Sequence, residues 1–432
     1  MANERSLVKL ADVSHRITKG TTPTTLGYAF TEVGINFIKV ESISDDGSFI
    51  PEKFTKIDSE THRALARSAI QENDVLFSIA GAIGRVAITP KDILPANTNQ
   101  ALAIIRPRTE IIHPRYLYYW LRTNLAQQYA ASRVVQSVQA NVSLSELASA
   151  KIPLPSLAEQ QAIVHILGTL DDKIELNRRM NEMQEAMARA IFKSWFVDFD
   201  PVRAKMAGRQ PSGMDAATAA LFPDSFEDSP LDKVPKGWRV YPVGEVVEVG
   251  GGSTPSTKEP AYWDGQIHWA TPKDLSVLHS PVLLDTERRI TEAGLGQIGS
   301  RVYPKGTLLL SSRAPIGYLA ISEIAVAVNQ GMIAVACGPN PSNHYMLQWT
   351  RTNMEVIESR ASGTTFQEIS KSNFRSIPVT IPADEVMKAF TERVEPLHRR
   401  MVNNLRVSRT LAAVRDALLP KLISGEIRVM DA

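Results

Sequence analysis

The spacing of apolar residues divides the chain into short strand-like stretches and long helical ones. Between about residues 7 and 155, short β-rich runs are separated by glycine, proline and asparagine, which predicts strands at 35–40, 74–79, 85–89 and 100–105. Helical spacing over 116–130 predicts one helix in the same stretch. Between about 236 and 382 the pattern returns, with strands predicted at 307–310, 317–321 and 332–336 and a helix at 343–360. We predict two loop-rich α+β domains, and we call them the first and second heads.

Each head is followed by a long stretch with apolar residues at alternating steps of three and four. Over 156–196, Ser156 and Glu159 have capping-box spacing and mark a helix start. The first helix carries a stripe of Ile163, Leu167, Leu170, Ile174 and Asn177, and then an adjacent stripe of Leu176, Met180, Met183 and Met187. The second, over 383–424, carries Phe390, Val394, Leu397, Met401, Asn404, Val407, Leu411, Val414 and Leu418.

We predict that these two helices pack together as an antiparallel coiled coil. Asn177 and Asn404 occupy the same position of the two stripes, and a polar pair at a seam fixes the register of a coiled coil. About 40 residues at about 1.5 Å each make a rod of roughly 60 Å. A rod of this length is suited to act as a spacer.

Short sequence matches indicate that the two heads are copies of one domain. The segment 78–84 recurs at 311–317, Asn99-Gln100 recurs as Asn329-Gln330, and 122–124 recurs at 351–353. Prolines and acidic residues between the first helix and the second head are typical of a linker. The predicted organisation is a pseudo-two-fold repeat with a first head at 1–155, a spacer helix at 156–199, a linker at 200–235, a second head at 236–382 and a C-terminal spacer helix at 383–432.

The amino-acid composition restricts the class of protein and its possible partners only slightly. An apolar content of 44% and a charged content of 22% are ordinary for a soluble globular protein. The net charge of +2 does not demand nucleic acid as a partner, so DNA binding would need charge concentrated on one face. The single cysteine, Cys337, excludes an internal disulfide framework. The first 20 residues lack a signal-type apolar core, and the most apolar stretch, 319–337, is interrupted by polar residues and is predicted to form two strands and a turn. We expect a cytoplasmic protein with no membrane association.

Catalytic motifs are absent from the sequence. The glycine run at 250–252 lacks the lysine and the spacing of a nucleotide-binding loop, and the eight histidines are scattered. Asp198 and Asp200 lie close together in an aromatic setting, where they form either a metal site or, as we favour, a helix-ending turn.

Small hydroxyls and basic residues near glycine-rich turns are the candidate DNA contacts. Such loops suit phosphate oxygens, and aromatic residues such as Tyr262, Trp263 and Trp269 can stack on bases. The alternative is that these segments are ordinary turns and that Trp263 belongs to the core. The shared turns at Gly84 and Gly317 are expected to preserve backbone geometry. The candidate DNA contacts are Lys19, Thr21, Thr22, Lys39, Glu41, Arg85, Ser253, Thr254, Lys258, Tyr262, Trp263, Lys273 and Arg313.

The chain resembles the specificity subunits of type I restriction-modification enzymes. The resemblance rests on the sequence motifs at 155–163, 170–174 and 190–205, on Pro235-Lys236-Gly237-Trp238 at the start of the second head, and on 418–427 near the end. The order of head, helix, head and helix fits the same family. The resemblance covers essentially the whole chain.

The resemblance implies a DNA-binding subunit that is not catalytic and has no cofactor of its own. In that family each head recognises one half of a split double-stranded DNA target, and the two helices set the distance between the halves. The helices also dock two modification subunits, which use S-adenosylmethionine to methylate adenine. Restriction subunits, when present, use ATP and Mg²⁺ to translocate and cut DNA. The competing hypotheses are an enzyme with a divergent site and a non-catalytic coiled-coil adaptor without sequence-specific DNA recognition.

A cluster of methionine and aromatic residues on the first helix is a candidate docking face for the modification subunits. Such side chains at a helix surface are typical of protein interfaces. The alternative is that they pack under the adjoining head. With Ile191 beside them, the candidate docking residues are Met183, Met187, Phe192, Trp195 and Phe196.

Overall fold

A computed structural model of the chain describes residues 5–133, 141–299, 301–313, 315–363 and 367–429. It divides into two units. Unit 1 consists of Met1–Ile174 and Arg409–Ala432, and unit 2 consists of Glu175–Ser408. Unit 1 therefore contains the first head, and unit 2 contains the second.

The first head is built on two four-stranded sheets. Its strands are β1 (Leu7–Lys9), β2 (Ser14–Lys19), β3 (Ile35–Ile38), β4 (Thr55–Ile57), β5 (Ala69–Ile70), β6 (Val75–Ser78), β7 (Val86–Ile88), β8 (Ala96–Thr98), β9 (Leu102–Pro107) and β10 (Lys151–Pro153). Its helices are α1 (Ser59–Ala64), α2 (Pro114–Leu121), α3 (Asn124–Ser132) and α4 (Leu144–Ser149). The strand orders are β2-β9-β6-β7 and β4-β3-β8-β5, and β1 pairs with β10. The strands lie at the predicted places.

The chain continues through the first long helix into the second head. The next elements are α5 (Leu157–Phe196), α6 (Asp200–Met206), α7 (Ala216–Ala220), β11 (Phe226–Ser229), β12 (Asp232–Pro235), β13 (Arg239–Pro242), α8 (Val243–Val246), β14 (Glu248–Gly250), β15 (Trp263–Ala270), α9 (Pro272–Ser276), β16 (Val282–Leu283), β17 (Arg288–Ile290) and α10 (Glu292–Ile298). They are followed by β18 (Leu308–Ser311), β19 (Leu319–Ser322), β20 (Val326–Val328), β21 (Met332–Ala336), α11 (Asn343–Thr352), α12 (Met354–Ser359), α13 (Lys371–Arg375), β22 (Pro378–Ile381) and α14 (Asp384–Ser424).

The second head repeats the sheets of the first. Its strand orders are β14-β21-β18-β19-β16 and β17-β15-β20, and β13 pairs with β22 as β1 pairs with β10. In the β4-β3-β8-β5 sheet of the first head β3 pairs in parallel with β8, and in the β17-β15-β20 sheet of the second head β15 pairs in parallel with β20. Tyr116 in α2 and Tyr345 in α11 each donate a hydrogen bond to a carbonyl of the strand that closes the head. The internal repeat predicted from sequence is therefore confirmed.

Two expectations about these elements were wrong in detail. The stretch 319–337 contains three strands rather than two. Each head helix is interrupted at the repeated Arg-Thr-Asn segment, so α2 and α3 replace one helix and α11 and α12 replace the other. In the first head Thr123 causes the break, because its hydroxyl caps a new helix by accepting the N–H of Ala126.

The long helices α5 and α14 begin and end within one residue of the predicted bounds, and they pack antiparallel. In unit 2, Asn177 donates to the hydroxyl of Ser408 at 3.0 Å, and Asn404 donates to the amide oxygen of Asn181 at 2.9 Å. In unit 1, Arg415 of α14 contacts Asp171 of α5 at 2.7 Å. Both asparagines are buried between the two helices as predicted, although Asn404 pairs through its side chain with Asn181 rather than with Asn177.

The seam of α5 continues through polar residues rather than through the methionine stripe. Beyond Asn177, the next three buried positions are Asn181, Gln184 and Ala188, which keep the steps of three and four. Leu176, Met183 and Met187 are exposed, so the adjacent stripe predicted from them is not a packing face within the chain. Polar residues are buried and methionines are exposed here because the seven-residue repeat determines which positions face the partner helix, whatever their polarity.

The segment 200–235 is folded. It forms α6, α7 and a hairpin of β11 and β12. Its residues Val202 and Phe222 are buried in the main core of unit 2, together with Trp238. Of the prolines that predict a linker, Pro201 lies in the first turn of α6 and Pro235 ends β12, positions that are compatible with a packed segment.

Candidate nucleic-acid interface

Antiparallel pairing brings the repeated loops to one end of the β2-β9-β6-β7 sheet in the first head and of the β14-β21-β18-β19-β16 sheet in the second. In the first head, Lys19 pairs with Ala103 and Ser78 pairs with Leu102, so the loop after β2, the β6–β7 turn and the turn before β9 meet at one end. In the second head, Gly250 pairs with Ala334 and Ser311 with Met332, which gathers the corresponding loops. We call this end, formed by these three loops, the loop end of each head.

The backbone of the loop end is held by the same hydrogen bonds in both heads. The hydroxyl of Ser78 accepts the N–H of Arg85 at 2.7 Å, and that of Ser311 accepts the N–H of Tyr318 at 2.8 Å. Both turns contain a glycine in the left-handed region, Gly84 at φ 96° and Gly317 at φ 109°. This agrees with the expectation that the shared turns preserve backbone geometry.

The hydroxyl-rich loops predicted to contact phosphate also match. Thr22 donates to the amide oxygen of Gln100 in the first head, and Thr254 donates to that of Gln330 in the second. Thr21 and Thr22 are half-buried, Ser253 is exposed and Thr254 is half-buried. The structure therefore places both loops on the surface of the loop end and ties each to the neighbouring turn.

The candidate lysines differ in whether a carboxylate or an aromatic ring of the protein contacts the ammonium group. Lys19 and Lys258 are exposed and, within the described part of the chain, have no salt bridge or side-chain hydrogen bond. Lys39 lies 4.8 Å from the ring centroid of Phe30 and 4.0 Å from the carboxylate of Glu41, which is itself exposed. Lys273 is exposed and pairs with Glu287 at 2.8 Å. Lys19 and Lys258 are thus the lysines of this set with charges least compensated by the protein.

The two candidate arginines are engaged within the protein. Arg85 donates to the carbonyls of Val40 and Ile43 at 3.2 and 2.8 Å and pairs with Asp45 at 2.7 Å. These contacts fasten the loop at 40–45, so the expectation that Arg85 is available to a phosphate does not fit its environment. Arg313 is about half exposed and pairs with Glu368 at 3.0 Å.

Trp263 is a core residue, as the alternative held, and the base-stacking hypothesis for it is wrong. It is 7% exposed and packs edge-to-face against Trp269 at 5.2 Å. Its indole N–H donates to the carbonyl of Ser256, and that of Trp269 donates to the carbonyl of Ser253. Tyr262 is half-buried, and its hydroxyl lies 3.4 Å from Gln297.

The predicted docking residues separate into two groups. Met183 and Met187 are exposed by 64% and 53%. Phe192, Trp195 and Phe196 are buried in the core of unit 2, where Phe196 lies 5.0 Å from the ring of Phe390. The expectation that these three are exposed for docking was wrong, because they pack under the adjoining head.

The acidic pair at the end of α5 forms a turn. Phe199 has a left-handed backbone with φ 54°, and α6 begins at Asp200. Lys193 pairs with Asp198, and Ser194 donates to Asp200 at 2.8 Å. Across the residues that the structure describes, no group of three histidine, cysteine or acidic side chains is placed to hold a metal ion. Within the same residues, no helix is both long and apolar enough to cross a bilayer.

Sequence and structure comparisons agree with this architecture. The family model for the type I restriction modification DNA specificity domain matches residues 4–184 and 235–405. The chain is 27% identical to the MjaIX specificity subunit of Methanocaldococcus jannaschii, over 83% of this chain and 78% of that protein. It is 25% identical to the HindI specificity subunit of Haemophilus influenzae, over 84% and 88% of the two chains. The crystal structure of a type I restriction-modification S subunit from M. genitalium matches the fold with a TM-score of 0.55 at 15% identity, over 98% and 97%.

Proposed function

The chain belongs to the type I restriction-modification DNA specificity family, and we propose that each head recognises one half of a bipartite DNA target. It is the non-catalytic subunit of such a system and supplies sequence-specific DNA recognition. The observation that carries the proposal is the loop end, which is built twice on the same hydrogen bonds but presents different side chains in the two heads.

The difference between the two loop ends supports recognition of two different half-sites. The loop after β2 folds into a short 3₁₀ helix, Pro23–Leu26, which is closed by Gly27 in the left-handed region. The corresponding loop after β14 has its 3₁₀ helix only at its far end, Pro260–Tyr262, and presents Ser253 and Lys258 before it. A common framework with different exposed groups is suited to direct recognition of different bases, which depends on side-chain hydrogen-bond patterns.

We further propose that α5 and α14 set the spacing of the half-sites and provide the docking sites for partner subunits. The repeat offers two equivalent halves, which suits two modification subunits, with Met183 and Met187 as the exposed apolar residues of the predicted face. S-adenosylmethionine, and ATP with Mg²⁺ where a restriction subunit is present, would be bound by those partners. The cytoplasm, where such a complex meets DNA, is the proposed location.

The uncompensated lysines of the loop ends give a direct test of DNA contact. In the complex with the modification subunit, Lys19→Ala and Lys258→Ala should each weaken binding to all DNA sequences alike. Each lost phosphate contact should reduce the slope of log affinity against log salt by about one unit, because fewer counterions are released. Titration of DNA at several salt concentrations measures this slope.

Matched controls are Lys151→Ala and Lys233→Ala. Both lysines are exposed, but they lie on the separate two-stranded sheets β1-β10 and β11-β12 rather than at a loop end. Their removal should leave the slope unchanged. Equal effects from all four variants would contradict placement of DNA at the loop ends, and a change in base preference would assign a lysine to base recognition.

A further inference from the structure

The first part of the loop after β14 in the second head, residues 252–255, is held in place by side chains rather than by backbone hydrogen bonds. Within the described part of the chain, residues 252–255 make no backbone-to-backbone hydrogen bond. The carbonyls of the loop instead accept side-chain donors: Tyr303 donates to Gly251 at 2.9 Å, Trp269 to Ser253 at 3.1 Å and Trp263 to Ser256 at 3.0 Å. The conformation of this loop is therefore determined by the side chains of Tyr303, Trp263 and Trp269, on which the loop packs.

The two tryptophans form a rigid base for the loop. They lie near the two ends of β15 and pack edge-to-face, with their ring planes at 82°. Arg288 of β17 covers Trp263, with its guanidinium carbon 3.4 Å from the ring centroid. Burial fixes the rings, so their N–H groups are held at fixed positions below the loop.

The first head keeps the ring pair but not the donors. Phe37 occupies the position of Trp269, since β3 and β15 each pair in parallel with the equivalent neighbour. Phe30 and Phe37 pack edge-to-face at 5.3 Å, close to the 5.2 Å of the tryptophan pair. The phenylalanine side chain has no N–H, and residues 22–28 of the first head are instead held by the backbone hydrogen bonds of the 3₁₀ helix Pro23–Leu26. The indole donors thus occur in the head whose loop has, at residues 252–255, no backbone-to-backbone hydrogen bond with any described residue.

We propose that Trp263 and Trp269 are positioning residues for DNA recognition, and that their N–H groups fix the 253–256 loop in the shape that presents Ser253, Ser256 and Lys258 to the DNA. The proposal rests on the proposed function of the second head. Its distinctive consequence is that removal of an indole N–H changes base discrimination in one half-site only. A purely structural role for the rings would not have that effect.

The test replaces each N–H without changing the shape of the ring. Site-specific incorporation of benzothienylalanine, in which sulfur replaces the indole N–H, is made at Trp263 or at Trp269 in the full chain, assembled with its modification subunit. Losing one neutral hydrogen bond should reduce discrimination between correct and incorrect bases in the half-site of the second head by about fivefold. Preferences in the other half-site should stay unchanged. Binding to a randomised DNA library measures both halves at once.

Trp238 provides the matched control. It is buried in the core of unit 2, 3% exposed, and its N–H has no acceptor among the described residues. The same replacement there should leave both half-sites unchanged. Hydrogen exchange of the loop amides gives a second measurement, and we expect it to accelerate about fivefold in the Trp263 and Trp269 variants alone.

The outcomes separate the two proposals. Unchanged base preferences, unchanged loop exchange, or equal loss in both half-sites would overturn the positioning role. If the unmodified complex shows no sequence preference in any half-site, the proposed function itself fails, whatever the variants do.

Discussion

Replacing Trp195 with aspartate should strongly destabilise unit 2 rather than merely weaken partner docking. Trp195 is 5% exposed and lies 5.0 Å from the ring of Phe222, with Phe196 and Phe390 close by. The change removes a large apolar side chain and places a carboxylate in the cavity that is left. Loss of a buried tryptophan alone costs about 3–5 kcal/mol, and an unpaired buried charge adds to this cost. Thermal unfolding should therefore show the melting temperature falling by about 10 °C or more.

The control for this experiment is a substitution at an exposed position of the same helix. Met187→Ser removes a side chain that is 53% exposed, and such changes usually alter stability by less than about 0.5 kcal/mol. It should melt like the unmodified chain but weaken assembly with the modification subunit, which light scattering measures as a loss of mass. A Trp195→Asp chain that melts normally would contradict the aromatic core, and unimpaired assembly by Met187→Ser would argue against docking on this face.

A paired insertion in the two long helices should lengthen the gap between half-sites. Asn177 and Ser408 face each other across the helix pair, so four residues added after Leu176 and four after Ser408 keep the seam residues matched on both sides. Four residues add about 6 Å at about 1.5 Å each, which corresponds to about two base pairs at about 3.4 Å per pair. Methylation of a plasmid library with varied gaps gives the preferred spacing.

A single insertion after Ser408 is the matched control. It displaces residues 409–424 of α14 by about one turn relative to α5 and breaks the contact of Arg415 with Asp171, while Asn177 and Asn404 can keep their partners. We expect it to reduce methylation at every gap length. If the paired insertion leaves the preferred gap unchanged at full activity, the helices do not set the spacing.

The periodic parts of the fold could be predicted because periodicity follows directly from helix and strand geometry. The bounds of α5 and α14 follow from their apolar repeats and from the capping pair Ser156 and Glu159, whose N–H is 3.2 Å from the serine hydroxyl. The central seam could not be predicted from hydrophobicity. Its buried positions, Asn181 and Gln184, are polar, while the exposed Met183 continues the apolar pattern.

The roles of individual side chains in the loops depend on contacts between distant parts of the chain. Arg85 donates to carbonyls some 40 residues earlier in the chain, and Trp269 of β15 donates to Ser253 in the loop after β14. Nothing in the local sequence distinguishes such a residue from an exposed DNA contact. The hydrogen bonds from Thr22 to Gln100 and from Thr254 to Gln330 could more easily be predicted from sequence, because Gln100 and Gln330 belong to a sequence match between the heads.

The most direct test of the account is to exchange the second head, residues 236–382, for that of another specificity subunit and to map methylated sites across a genome. The unmodified complex should methylate a bipartite sequence with a fixed gap. The exchanged chain should keep the half-site of the first head and the gap, while the other half-site changes. Alteration of both half-sites, or methylation at a single uninterrupted sequence, would contradict independent recognition by the two heads.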